Sequence, residues 1–141
     1  MHHQKLQKSF KKTNNGMLKM LPLILGILLL VSMLNVLVPK EIYVKIFTGN
    51  VIFDAFKGSL LGSILTGNPI TGYVLADNFL KNGVSLVAVT AFLTAWVTVG
   101  IVQLPAEIYA LGKRFALARN VISFLFSILV ALVTVLILTI F

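Results

Sequence analysis

Residues 47–80 read FTGNVIFDAFKGSLLGSILTGNPITGYVLADNFL. Two apolar stretches, 47–66 and 70–80, flank the tripeptide Gly67-Asn68-Pro69. Pro69 has no amide hydrogen to donate and disfavours helix at Asn68, so a continuous helix breaks there. The same residues start a helix well, with Asn68 as N-cap and Pro69 in the first helical position. The pattern predicts helix, break, new helix. In a bilayer that is either a re-entrant hairpin of two half-length arms or a single crossing with an unwound middle.

Working outward, the rest of the chain is more apolar still. Of its 141 residues 58% are hydrophobic and only 11% charged, against about 45–50% and about 25% in soluble domains. That excludes a water-soluble enzyme and a disordered chain. Three runs are long enough to span a bilayer: 20–38, 84–104 and 121–141. Nineteen residues of helix reach about 28 Å, close to the thickness of a hydrocarbon core. The first run lacks a cleavage site before Pro39 and so is not expected to be a removed signal. Its one strongly polar member, Asn35, is expected to face another helix. The third run reaches Phe141, and no further domain is expected after it. The expected fold is an all-α integral membrane protein. It has three transmembrane helices plus the helical hairpin over 47–80, as one transmembrane domain from 20 to 141.

Net charge is +8, from 12 Lys and Arg against 4 Asp and Glu. Nucleic acid is not the expected partner, because the basic residues flank apolar spans and form no patch interleaved with aromatics. Residues 1–19 hold five lysines and no acid, which reads as a basic cytoplasmic tail. Leu6 and Phe10 lie four apart, so a short helix there would rest weakly on anionic headgroups. His2 and His3 are assigned no function. With a hairpin that enters and leaves on one face, the tail and the 106–119 segment place eight basic residues on one side. Lys40, Lys45, Lys57 and Lys81 remain on the other. If 47–66 crosses fully, the split is six against five with Lys57 inside the span. Cytoplasmic segments carry the Lys/Arg excess, which favours three crossings with a re-entrant hairpin. The chain is placed as multi-pass in the plasma (inner) membrane with a cytoplasmic N-terminus.

Non-helical backbone at membrane depth survives only against protein or a water-filled cavity. Gly67, Asn68, Pro69 and Thr71 are therefore the first candidates for a solute or ion site. Half-helix ends bring bare amides and fixed dipoles to the midplane, as in many transporters. The amides of Ile70 and Thr71, at the positive end of the second arm, would favour an anion or electron-rich group. An ordinary surface turn is the bland alternative. Gly58 and Gly62 form GxxxG, echoed by Ser59 and Ser63, which predicts close packing of that arm against another helix.

The remaining polar residues allow two readings each. Asp54 and Lys57 are spaced for a helical ion pair, or Asp54 serves an ion or proton relay. Asp77, one turn from Lys81, is read the same way with more weight on an interfacial pair. Thr90, Thr94 and Thr98 form one stripe, suited to interhelical hydrogen bonding or to lining a polar pathway. Ser123, Ser127 and Ala131 form a similar stripe on the last span. Gln103 and Glu107 straddle Pro105, where the helix should kink or end, and Glu107 is within reach of Lys113 or Arg114. No nucleophile–base pair, metal-ligand cluster or phosphate loop occurs, so neither enzyme activity nor a cofactor is expected.

Three quoted stretches carry a resemblance: GSILTGNPITGYVLADNFL from Gly62, GVSLVAVTAFLTAWVTVGIVQLPAE from Gly83, and LGKRFALARNVISF from Leu111. They resemble the half-length predicted permeases of bacteria and archaea, relatives of the ArsP-type organoarsenical efflux permeases. The resemblance covers nearly half the chain. It implies a polytopic permease whose longer relatives carry two such halves, with Gly67, Asn68, Pro69, Thr71 and 103–107 among the signature positions. This chain departs from the arsenic- and metal-linked branch in having no cysteine. Thiol-based binding is thereby put in doubt, and the substrate is not inherited. The function expected is a permease subunit that pairs as a homodimer, parallel or antiparallel, and moves an unidentified small solute or ion across the lipid bilayer. The alternative is a non-transporting accessory or scaffold subunit of a membrane complex.

Overall fold

The computed structural model describes residues 39–140 and, ahead of them, Thr13, Leu18 and eleven positions between Leu21 and Leu37. The chain divides into two compact units, Met1–Leu37 and Val38–Phe141. In the first, every described residue is helical. The expectations for Leu6, Phe10, His2, His3 and Asn35 fall outside the described residues.

In the second unit the described residues form helices α1 (Lys40–Ile46), α2 (Val51–Ile64), α3 (Pro69–Lys81), α4 (Leu86–Thr98), α5 (Leu104–Leu111) and α6 (Lys113–Ile140). Capping side chains set several of the starts. Asn50 Oδ1 accepts from the amides of Ile52 and Phe53, Asn68 Oδ1 from Ile70, and Ser85 Oγ from Ala88. Each takes up a first-turn amide that has no acceptor within its own helix. Gly112, at φ 88°, turns the chain from α5 into α6 in a conformation that side chains with a Cβ rarely adopt.

Helix α4 lies at the centre, in contact with α2, α3 and α6, while α5 packs on α6. The tightest contact is α2 on α4. A Cβ at Gly58 would overlap the carbonyl oxygen of Ala88, and one at Gly62 that of Phe92. The GxxxG spacing thus does what it predicts. It brings two helix backbones together, with dispersion and shape fit as the driving force. Ala55, Val87, Ala91 and Ala131 join α2, α4 and α6 in one small-residue core. The Ser59 and Ser127 hydroxyls, both buried, meet at 2.8 Å across α2 and α6.

The contacts also give direction. Gly58 and Gly62 pair with Ala88 and Phe92, so α2 runs parallel to α4. Gly72 meets Trp96, and the Phe79 ring lies 5.2 Å from that of Phe92, so α3 runs back. At the far end Ser85 Oγ donates to Asp54 at 3.2 Å, which brings the start and finish of the segment together. Residues 47–85 are a helical hairpin with its tip at 65–68.

Two expected spans differ from the structure. The run 84–104 is not one helix: it stops at Thr98, and α5 starts at Leu104. Gly100 and Pro105 weaken the ladder locally, and side chains from elsewhere take the freed backbone groups, as described below. The last helix begins at Lys113, eight residues before Val121, so most of the 106–119 segment between the expected spans is helical. Among the described residues only α6 is long and apolar enough to cross a bilayer. Its 28 residues reach about 42 Å.

Candidate functional site

Two helix interruptions meet at one level. The first, 65–68, separates α2 from α3; the second, 99–103, separates α4 from α5. Thr66 Oγ1 joins them by donating to the Val99 carbonyl at 2.7 Å. At the same level Asn120 of α6 accepts from the Gly100 amide at 3.0 Å. Asn120 lies seven residues into α6, about 10 Å of helix from its first residue.

The second interruption is closed by side chains. Asn120 Nδ2 donates to Glu107 Oε2 and to the Ala116 carbonyl, each at 3.0 Å. Arg119 pairs with the other Glu107 oxygen and reaches the Thr98 carbonyl at 3.2 Å. Arg119 and Asn120 therefore replace helix bonds that α4 would have made had it continued. The expected partners of Glu107, Lys113 or Arg114, are corrected to Arg119. A helix start at Lys113 carries Arg119 and Asn120 inward, over the end of α4. Arg119→Ala would leave a carboxylate that is 13% exposed with one donor fewer. A loss of about 1–3 kcal/mol is expected, measured as a lower melting temperature and faster amide exchange across 99–112.

The first interruption stays open. Asn68, Pro69 and Gly67 are exposed, and Thr71 is half-buried. The Ile70 amide is already bound by Asn68 Oδ1 at 2.9 Å and the Gly72 amide by the Asn68 carbonyl at 3.2 Å. Pro69 has none to give, so of the two amides expected to face a ligand, Thr71 alone keeps a free role. Beside this turn lies Trp96, 4% exposed, whose Nε1 has no hydrogen-bond partner.

The hairpin's other end is a structural lock. Asp54, 1% exposed, accepts from the Thr48 amide at 3.0 Å, the Gly49 amide at 3.1 Å and the Ser85 hydroxyl. Lys57 donates to the Ile46 carbonyl at 2.6 Å. The Asp54–Lys57 ion pair is thus replaced by two separate anchors, Asp54 on the 47–50 loop and Lys57 on the end of α1. Removing the carboxylate with Asp54→Ala is expected to cost about 2–3 kcal/mol, seen in thermal melts and as new protease cleavage within 47–50. Asp77 and Lys81 do pair, at 2.6 Å and well exposed.

Thr90, Thr94 and Thr98 each donate to the carbonyl four residues back in their own helix, not across to a neighbour. Thr94 and Thr98, with Ser123 and Ser127 among others, line a half-open groove of about 180 Å³ between α4 and α6. Gln103 lies against Gly100 inside the second interruption. Trp96, Asn120 and Arg119 were not singled out from the sequence as site residues. Asn120 had a usable signal: an amide at the margin of an apolar run needs a partner.

Among the described residues an extended apolar helix packs against a hairpin and an interrupted helix, and no strand occurs. The chain belongs to the ArsP_1 family of predicted permeases, whose model matches residues 6–139. No curated protein and no solved structure matches it. Family membership makes this a transporter-type protein of the lipid bilayer, with a small solute as the natural partner.

Proposed function

We propose that this chain is a permease subunit in which the 47–85 hairpin enters and leaves the membrane on one face, with residues 65–68 inside it. Residues 20–38, the broken helix 86–111 and α6 are the three crossings. The observation that carries this reading is the meeting of two helix interruptions at one level, one closed by side chains and one left open. In lipid an open interruption needs water or a solute. The level of Asn120, about 10 Å from where α6 begins, supports a buried position.

A homodimer completes the pathway. Three crossings with one hairpin enclose little space, and within the described residues α6 buries only Ala116, Asn120, Ser127 and Ala131. With Arg119 at the level of the interruptions, the basic residues outside the membrane split seven to four, which supports a cytoplasmic N-terminus in the inner membrane. The test is flux: protein reconstituted alone in liposomes should exchange at least one of a panel of labelled small anions, cations and neutral solutes. No flux for any of them, with the protein inserted and folded, favours the accessory-subunit reading.

A further inference from the structure

We infer that Arg119 and Asn120 form a carboxylate-binding cradle, that Glu107 fills it from within the chain, and that α5 swings away when a free carboxylate takes the place of Glu107. The cradle is held independently of its occupant. Arg119 reaches the Thr98 carbonyl at 3.2 Å, and Asn120 is fixed by the Gly100 amide and the Ala116 carbonyl, each at 3.0 Å. None of these three bonds involves α5. The two donors therefore keep their positions without Glu107, and each meets one of its carboxylate oxygens. Two preset donors, one of them a guanidinium, suit a carboxylate and repel a cation.

The occupant is anchored far less well than its cradle. Helix α5 is eight residues long and buries none of its side chains, with Tyr109 96% exposed. Non-helical residues 99–103 precede it, and Gly112, at φ 88° with nothing within 4 Å of a Cβ, follows it. A segment with so little buried apolar surface opens at low cost, and its two flanks can absorb the rotation. Among the described residues Glu107 is the one α5 side chain that hydrogen-bonds outside its own helix. Swinging α5 out alone strips the guanidinium of its counter-charge, which is costly. A carboxylate that enters the vacated cradle removes that cost and so shifts the equilibrium toward the open position. The contacts involved are the same wherever residues 65–68 lie relative to the membrane.

The chain has no cysteine, so spin labels on Tyr109→Cys and Leu129→Cys, both exposed positions, report where α5 lies against α6 in the full chain in lipid nanodiscs. A single distance is expected without added anion. A second population should grow saturably with sodium acetate or formate, and not with equal sodium chloride. Glu107→Gln, a neutral and weaker occupant, should reach half-opening at no more than about one-tenth of the acetate concentration. In a second arm Glu107→Ala should melt lower than the parent, and acetate should restore its melting temperature. Glu107→Ala/Arg119→Gln should show no such recovery. A distance distribution that acetate and formate leave unchanged, in the parent and in Glu107→Gln alike, would overturn the inference: Glu107 would then fasten α5 and do nothing more. Recovery of Glu107→Ala with sodium chloride alone, or equally in the double variant, would overturn the cradle. If Glu107→Ala does not fold, the distance measurement decides by itself.

Discussion

Gly62→Ala is expected to destabilise the protein severely, and Gly58→Ala/Gly62→Ala to prevent the hairpin from packing at all. Both Cβ positions coincide with backbone carbonyls of α4, not with side chains that could rotate away. The helices must move apart, which undoes the Ala55–Val87–Ala91–Ala131 core and the Ser59–Ser127 contact together. Overpacking of a tight core costs about 1–3 kcal/mol, and rigid backbone on both sides puts each glycine at the upper end. The double variant should lose its cooperative melt and its monodisperse elution in mild detergent. Gly26→Ala is the control, since nothing lies within 4 Å of a Cβ there, and it should melt like the parent. Equal stability of the double variant and the control would refute the backbone-to-backbone contact.

The second large effect is on transport. Asn68 holds the first turn of α3 from both its side chain and its carbonyl. Asn68→Leu removes the side-chain cap, at about 0.5–2 kcal/mol, and places an apolar group where the open interruption needs polar ones. The variant should insert and fold, with flux lost or strongly reduced. Lys81→Gln breaks only an exposed pair one helical turn apart, worth about 0.2–0.5 kcal/mol, and should keep flux near that of the parent. Similar flux in both variants would argue against a site at 65–71.

Much of this arrangement follows from local rules. Asn68 and Pro69 announce a helix start, GxxxG announces a close helix contact, and the structure contains both. The continuous 84–104 helix does not follow, because the residues that end it are remote in sequence. Thr66 from the first interruption, and Arg119 and Asn120 from α6, satisfy the backbone of 98–100, and apolar periodicity carries no trace of such partners. Asp54 misleads for the same reason. Its spacing to Lys57 suits a helical pair, yet two loop amides and Ser85 hold it. The threonine stripe is legible as a face but not in its bonding, since each hydroxyl finds a carbonyl in its own helix first. Trp96 stands apart: its packing against Gly67 and Gly72 beside the break depends on the fold of α3 against α4 and is not legible from periodicity.

The central claim is that residues 65–68 lie inside the membrane, and cysteine accessibility tests it most directly. The native chain contains no cysteine, so Asn68→Cys and Lys81→Cys each report from a single site. In sealed vesicles a membrane-impermeant maleimide should label position 81 quickly and position 68 slowly. Equal, fast labelling at both would place Gly67-Asn68-Pro69 in a surface loop and contradict the account.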